Sequence, residues 1–212
     1  MIMLNILKYS PEGAVDGESR IEREVVYHAI LEDKSFLESA AKKELQEQWE
    51  IKIEKTEPSV TPRNLSSGRL RVRKINDGEK YVFCSKCKNG DHQDEVELES
   101  TEDQFHQFAN MSTGGMLKTR YYFPIEGTEG SFPEGEFDGK LVWEIDVFKK
   151  HPDEPDQEWV KIDLELPENW NKEIPTFPFP TKQLITSQYP NRPEEEEAIV
   201  SKLYDVDFMM RH

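Results

Sequence analysis

Two stretches decide the fold: Leu141-Val142-Trp143-Glu144-Ile145-Asp146-Val147-Phe148 and Trp159-Val160-Lys161-Ile162-Asp163-Leu164-Glu165-Leu166. In each, apolar and charged residues alternate. Successive side chains of a strand point to opposite faces. Trp143, Ile145 and Val147 therefore share one face, and Glu144 and Asp146 share the other. Ile162, Leu164 and Leu166 are likewise opposed to Asp163 and Glu165. A helix would scatter these charges around its axis, so the period of two reads as two strands joined by the loop from His151 to Gln157.

The same alternation extends outward. Arg69 to Lys74 and Lys80 to Lys88 flank Asn76-Asp77-Gly78, and an Asp-Gly pair between two such runs signals a hairpin. Asn89-Gly90-Asp91 is a second turn, followed by Glu95-Val96-Glu97-Leu98-Glu99. Further strands are expected at residues 21–27, at 49–55 and from Leu117 to Ile125. Two helices are expected before the C-terminal segment. One starts at Ser35, where Glu38 completes a capping box and Phe36, Leu37, Ala40, Ala41 and Leu45 recur at helical spacing. The other is capped by Thr101 and Gln104, buries Phe105, Phe108 and Ala109, and ends at Gly114-Gly115. Residues 167–193 are rich in Pro and aromatics and read as ordered but irregular. A C-terminal helix is expected from Pro193, with Ala198, Ile199 and Leu203 as its buried stripe. The expectation is a single domain over 1–212, mostly β within the α+β class, with its core at about 20–192 and the helix at 193–212.

Composition narrows the partners. The 212 residues hold 27 Lys and Arg against 43 Asp and Glu, a net charge of −16. A duplex-DNA coat or an anionic-membrane binder carries the opposite sign, so neither is expected. With 4 Trp and 10% aromatics the chain has the means to build a core. No run approaches the ~18–20 apolar residues of a membrane span, and Met1 to Tyr9 lacks the apolar core of a secretion signal. Cys84 and Cys87 suit a reducing, cytoplasmic setting. Their spacing points the two sulfurs to opposite faces of a strand, and no second pair completes a zinc site, so they read as thiols.

Charge signs are sorted by strand. Arg69, Arg71 and Arg73 share a face, as do Glu95, Glu97 and Glu99. Lys118 pairs with Arg120, Glu144 with Asp146, and Asp163 with Glu165. For any one strand, the simplest reading is a core face backed by a solvated face. Sorting of sign favours a second reading, because solvated surfaces mix Lys with Glu and like charges directly opposed are unfavourable. In that reading the charged faces line the inside of a barrel. Rows of Arg and rows of Glu each call for a partner of opposite charge, and a polyphosphate with a divalent cation supplies both.

On these residues the chain resembles the CYTH superfamily, the triphosphate tunnel metalloenzymes, which includes thiamine and inorganic triphosphatases, class IV adenylyl cyclases and RNA 5′-triphosphatases. The matching pieces run in order: Ile21-Glu22-Arg23, Arg71-Val72-Arg73, Phe83 to Lys86, Glu95-Val96-Glu97, Lys118-Thr119-Arg120-Tyr121, Trp143 to Phe148, Asp163-Leu164-Glu165-Leu166 and Tyr189-Pro190-Asn191. The resemblance implies an eight-stranded antiparallel closed barrel with a few flanking helices. It implies a metal-dependent phosphohydrolase acting on a triphosphate: tripolyphosphate, a nucleoside or thiamine triphosphate, or an RNA 5′ end. Arg71, Arg73, Lys86, Lys118 and Arg120 would bind the phosphates. Glu22, Glu97, Glu144, Asp146, Asp163 and Glu165 would hold Mg²⁺ or Mn²⁺, and Glu22, Glu24 and Lys86 would serve catalysis. The chain departs from the family's Glu-x-Glu-x-Lys signature. Glu22 and Glu24 are followed by Val26 where Lys belongs; the other register places Arg20 on a Glu position and Glu24 on the Lys. The alternative is therefore a binding module of the same fold that holds a nucleotide or RNA 5′ end without cleaving it.

Overall fold

The computed structural model describes residues 23–54, 67–89, 92–112, 114–132, 136–149, 151–167 and 170–186. The alternating stretches become nine strands: β1 (Arg23–Leu31), β2 (Lys42–Glu54), β3 (Ser67–Ile75), β4 (Lys80–Asn89), β5 (His92–Ser100), β6 (Gly114–Pro124), β7 (Val142–Lys149), β8 (Trp159–Leu166) and β9 (Thr181–Thr186). One α-helix, α1 (Glu102–Met111), follows β5. The strands form a single sheet in the order β5-β4-β3-β2-β6-β7-β8-β1-β9. Every neighbouring pair is antiparallel.

Local chemistry accounts for several elements. At the β3–β4 hairpin, Asn76, Asp77 and Gly78 take positive φ values of 47°, 57° and 106°. Asn, Asp and Gly tolerate that region best, and it turns the chain tightly enough for Ile75 to face Lys80. Thr101 caps α1 as expected: its Oγ1 accepts from the Gln104 N–H at 3.2 Å, and Gln104 Oε1 accepts from the Thr101 N–H at 2.9 Å.

Four expectations meet a different outcome. The helix from Ser35 shrinks to a 3-10 turn, Ser35–Ser39. Ser35 is engaged by Asp33 instead of capping, its N–H lying 2.9 Å from Asp33 Oδ1. The Ala41 N–H then joins the Tyr122 carbonyl at 3.0 Å, and the chain enters β2. That strand has ladders on both sides, to β3 and β6, and two ladders outweigh a weak helical propensity. Gly114-Gly115 does not end α1 but opens β6, because Ser112 already closes the helix with its N–H on the Ala109 carbonyl. Among the described residues the sheet has nine strands rather than eight. The extra one is the end of the proline-rich segment, where Thr181–Thr186 contains no proline and can supply N–H groups to β1. Closure is the other difference: among the described residues, no ladder joins β5 to β9. The C-terminal helix expected over 193–212, Tyr189 to Asn191 and Glu22 lie outside the described residues.

The register sorts the sheet into two faces. Trp143, Ile145, Val147, Val160, Ile162, Leu164, Val25 and Ala29 form the main apolar core with Leu37, Leu141 and Phe177. Phe177 meets Trp143 edge-on at 5.3 Å, so the Phe-Pro-Phe-Pro stretch packs over this face. A second cluster joins Trp49 and Val72 to Phe105 and Ala109 of α1. Gly115 lies against it, where a Cβ would come within 2.7 Å of both the Gln48 carbonyl and the Trp49 ring. Val96 and Leu98, which alternate with Glu95, Glu97 and Glu99, stand 49% and 54% exposed on edge strand β5. Among the described residues, no helix is long and apolar enough to cross a membrane.

Ile162 has no exposed surface. Ile162→Ala should therefore cost about 2–5 kcal/mol in a urea titration, through lost transfer energy and a cavity. Val96→Ala should change stability by less than ~0.5 kcal/mol. Gly115→Ala should destabilise by about 1–3 kcal/mol, because the contact is with backbone that cannot rotate away.

Candidate functional site

Cross-strand partners share a face, so one polar face can be followed across the sheet. It runs from Glu97 through Cys84 to Arg71 and Glu50, then through Gln46 and Lys118, and from Arg120 through Asp146 and Lys161 to His28. A flat sheet would leave this face in water. Instead Asp146 and Gln46 are 1% exposed, Asp163 2%, Glu50 3% and Lys118 6%. Among the described residues, helix α1, the Ser35–Ser39 turn and residues 170–180 pack on the opposite face, and the twist natural to a sheet curls this face inward.

Its centre is a knot of opposite charges. Lys118 Nζ donates to Asp146 Oδ2 at 2.6 Å. Arg120 holds the same carboxylate with Nε at 2.6 Å from Oδ1 and Nη2 at 2.8 Å from Oδ2. Arg120 also binds Glu144 and lies 3.5 Å from Asp163 Oδ2. Lys161 reaches the same Asp163 oxygen at 2.5 Å and Glu24 at 3.6 Å. Removing one member of such a buried pair typically costs about 3–5 kcal/mol, because the remaining charge is stranded.

The protonation states follow from this crowding. Burial alone would raise Asp146, but Arg120 and Lys118 outweigh it and hold the carboxyl well below the usual range. Burial pushes Glu144 up to about 7 against the pull of Arg120, with Glu165, Asp146 and Asp163 adding repulsion. Burial also raises Asp163. Burial and then Arg120 push Lys118 down to about 7, in spite of Asp146.

A second group lies beyond β2. Arg71 Nε donates to Glu50 Oε2 at 2.9 Å, and Arg73 pairs with Glu97. The structure thus brings Lys118, Arg120, Glu144, Asp146 and Asp163 into direct contact and places Arg71, Arg73 and Glu97 in a separate group on the same face. Glu165 stands opposite Glu24 on the ladder and acts on Glu144 through its charge. Lys86 is fixed only by register, opposite Arg69 and Glu95, and its side chain lies outside the described residues. The rows of like charge do find partners of opposite charge, and those partners are one another.

Sequence reasoning missed what β2 adds between the two groups. Glu44 accepts from the Tyr122 hydroxyl at 2.7 Å and from Gln46 Nε2 at 2.9 Å, and Lys42 lies 3.0 Å from it. Lys42, Glu44, Gln46, Gln48 and Glu50 alternate in the sequence, which could have revealed them. Lys43 and Glu47 on the other face blurred the pattern. Lys161 was missed because the reading of β8 followed only its acids.

As for metal, the donor set suits a hard cation, since carboxylate oxygens suit Mg²⁺ and Mn²⁺. Asp163 Oδ1 is buried and has no hydrogen-bond partner. Among the described residues, no three His, Cys, Asp or Glu side chains are already grouped as a metal site. The fit is therefore one of donor chemistry, with Asp163 Oδ1 as the available oxygen.

No protein-family model and no curated protein matches the chain. Among solved structures, hypothetical protein NE1496 is similar at 17% identity and a TM-score of 0.42, over 81% of this chain and 95% of that one. HpAC1 from Hippeastrum, a proposed adenylyl cyclase with a dominant triphosphatase activity, is similar at 11% identity and a TM-score of 0.39, over 87% of each chain. PH1012 from Pyrococcus horikoshii OT3 is similar at 18% identity and a TM-score of 0.40, over 86% of this chain and 88% of that one.

The two groups shifted to about 7 set the pH dependence of stability. Glu144 has a raised folded pKa, so its contribution is complete below the ordinary glutamate value and is lost as pH rises through about 7. Lys118 has a lowered one, so its contribution is complete above the ordinary lysine value and is lost as pH falls through about 7. In metal-free buffer, stability should pass through a minimum near pH 7. Glu144→Gln should flatten the acid side, a change of about 1–3 kcal/mol, and Lys118→Met the alkaline side. Urea titrations from about pH 5 to pH 9 test this, and a profile without the minimum would contradict it.

Proposed function

We propose that this protein acts on a triphosphate-bearing substrate held along the polar face, with hydrolysis of the terminal phosphoryl group as its reaction. The observation that carries the reading is the convergence of Arg71, Arg73, Lys118, Arg120 and Lys161, interleaved with acids, on one sheltered face. Guanidinium groups match phosphate geometry bidentately, and an enclosed setting strengthens each contact. Arg71 and Arg73 on one side of β2, and Lys118 and Arg120 on the other, would grip different phosphates of one chain. Closure of the sheet into a tunnel is part of this proposal, as is the resemblance to triphosphate tunnel enzymes. The cations address phosphate only, so the reading covers inorganic, nucleoside, thiamine and RNA 5′-triphosphates alike.

Glu144, Asp163, Glu165 and Glu24 are the residues that would hold Mg²⁺ or Mn²⁺, with Asp163 Oδ1 as the first oxygen to do so. Asp146 is committed to Lys118 and Arg120 and would serve to position them. A bound divalent cation supplies charge neutralisation and polarises the phosphoryl oxygens. Arg120, fixed by three carboxylates, keeps its orientation without substrate. Its hydrogen bonds to a phosphoryl oxygen would therefore cost little reorganisation as charge develops. Gln46 Oε1 and Arg73 Nε are buried on the same face without hydrogen-bond partners, an acceptor and a donor for ligand or ordered water.

A phosphate-release screen over tripolyphosphate, nucleoside triphosphates, thiamine triphosphate and triphosphorylated RNA, with Mg²⁺ and with Mn²⁺, tests the reaction. Release from at least one substrate is expected, and Glu165→Gln should abolish it while leaving the melting temperature unchanged. Binding without release would favour the non-cleaving alternative to which the departure at Val26 points. Arg73→Ala and Arg120→Ala should each weaken tripolyphosphate binding about tenfold or more, the worth of one charge-assisted contact. Unchanged affinity in both would remove the site assignment.

A further inference from the structure

The phosphate-directed cations of the polar face are already occupied. Arg71 holds Glu50, Arg73 holds Glu97, Lys118 and Arg120 share Asp146, and Lys161 holds Asp163. An incoming phosphate oxygen must displace or share a carboxylate at each of them. The pairs differ in what displacement costs. The Asp146 side chain is 1% exposed and serves two cations, and Glu50 is 4% exposed, so displacing either carboxylate disturbs a charge buried away from water. The Glu97 side chain is 49% exposed. It can turn into water and keep its hydration. Its partner Arg73 is 17% exposed.

We infer that Glu97 is a specificity-determining residue that competes with phosphate for Arg73. The inference rests on the polyphosphate reading above and assigns Glu97 to an arginine rather than to a metal ion. While Glu97 is in place, Arg73 is closed to weakly held anions. A single phosphate replaces one carboxylate contact with another of similar strength and gains little. A polyphosphate that already holds other cations of the face presents its next oxygens to Arg73 at high effective concentration, and so displaces Glu97. The Arg73–Glu97 pair thereby favours long polyanions over abundant small ones.

Calorimetric titration of the full chain with sodium tripolyphosphate, in buffer stripped of divalent metal by a chelating resin, tests this on four proteins. These are wild type, Glu97→Gln, Arg73→Met and the double variant. Arg73→Met keeps the apolar stem and so preserves packing. Glu97→Gln should tighten binding about two- to fivefold, the worth of one partly exposed ion pair. In the Arg73→Met background the same change should have no effect, because there is nothing left to compete for. Equal tightening in both backgrounds would show only the long-range effect of a removed charge and would overturn the inference. So would unchanged or weaker binding in Glu97→Gln while Arg73→Met weakens binding, an outcome that leaves the phosphate site standing. Failure of the wild type to bind tripolyphosphate would sink the site assignment, and the competitor with it.

Discussion

The Asp146 carboxylate, shared by Lys118 and Arg120 at 2.6–2.8 Å, is the contact on which the polar side of this protein depends. A carboxylate almost without solvent survives only if its charge is met and its lone pairs are filled. Two cations from β6 do both. Arg120 then carries the constraint onward to Glu144 and Asp163, and Lys161 carries it to Glu24. One buried charge thus sets the relative positions of β6, β7, β8 and β1. The apolar face needs no such chain. Trp143, Ile145 and Ile162 are held by burial alone, which has no direction and tolerates small shifts.

The two faces act on stability in opposite senses. Core residues supply the apolar burial that drives folding, while the polar face carries groups whose desolvation opposes it. Lys118 and Glu144, shifted toward each other from opposite sides, show where that opposition falls. A ligand that brought negative charge to Lys118 and positive charge to Glu144 would relieve both.

Pairing of the sorted charges among themselves changes how the polar face is understood. Sorted rows of Arg and Glu suggested groups awaiting a ligand. In the folded chain the rows answer one another across strands, in part between strands that are not neighbours on the ladder, as with Arg73 of β3 and Glu97 of β5. Under the proposed function, binding on this face would be an exchange of ion pairs, and its selectivity would depend on which carboxylates solvent exposure lets leave cheaply.

Much was legible in the residues themselves. Period two marked β3 to β8, Asn76-Asp77-Gly78 marked the hairpin, Thr101 and Gln104 marked α1, and the charged positions of each strand were identified correctly as sharing a face. These features are local: alternation, positive φ and capping act within a few residues. The sequence also misled where a local signal met a distant one. Ser35 to Leu45 has helical spacing, but β3 and β6 offer β2 a ladder on each side, and those partners lie 21 or more residues from Gln46, Gln48 and Glu50 in the chain. Val96 and Leu98 alternate like core residues and are exposed because β5 falls at an edge. Which acid meets which base, which carboxylate is buried at 1% and which stands half in water were likewise settled only by strand order and sheet curvature. Alternation tells which residues share a face; only the assembled sheet determines what that face encloses, because register and curl come from contacts between segments that the chain keeps far apart.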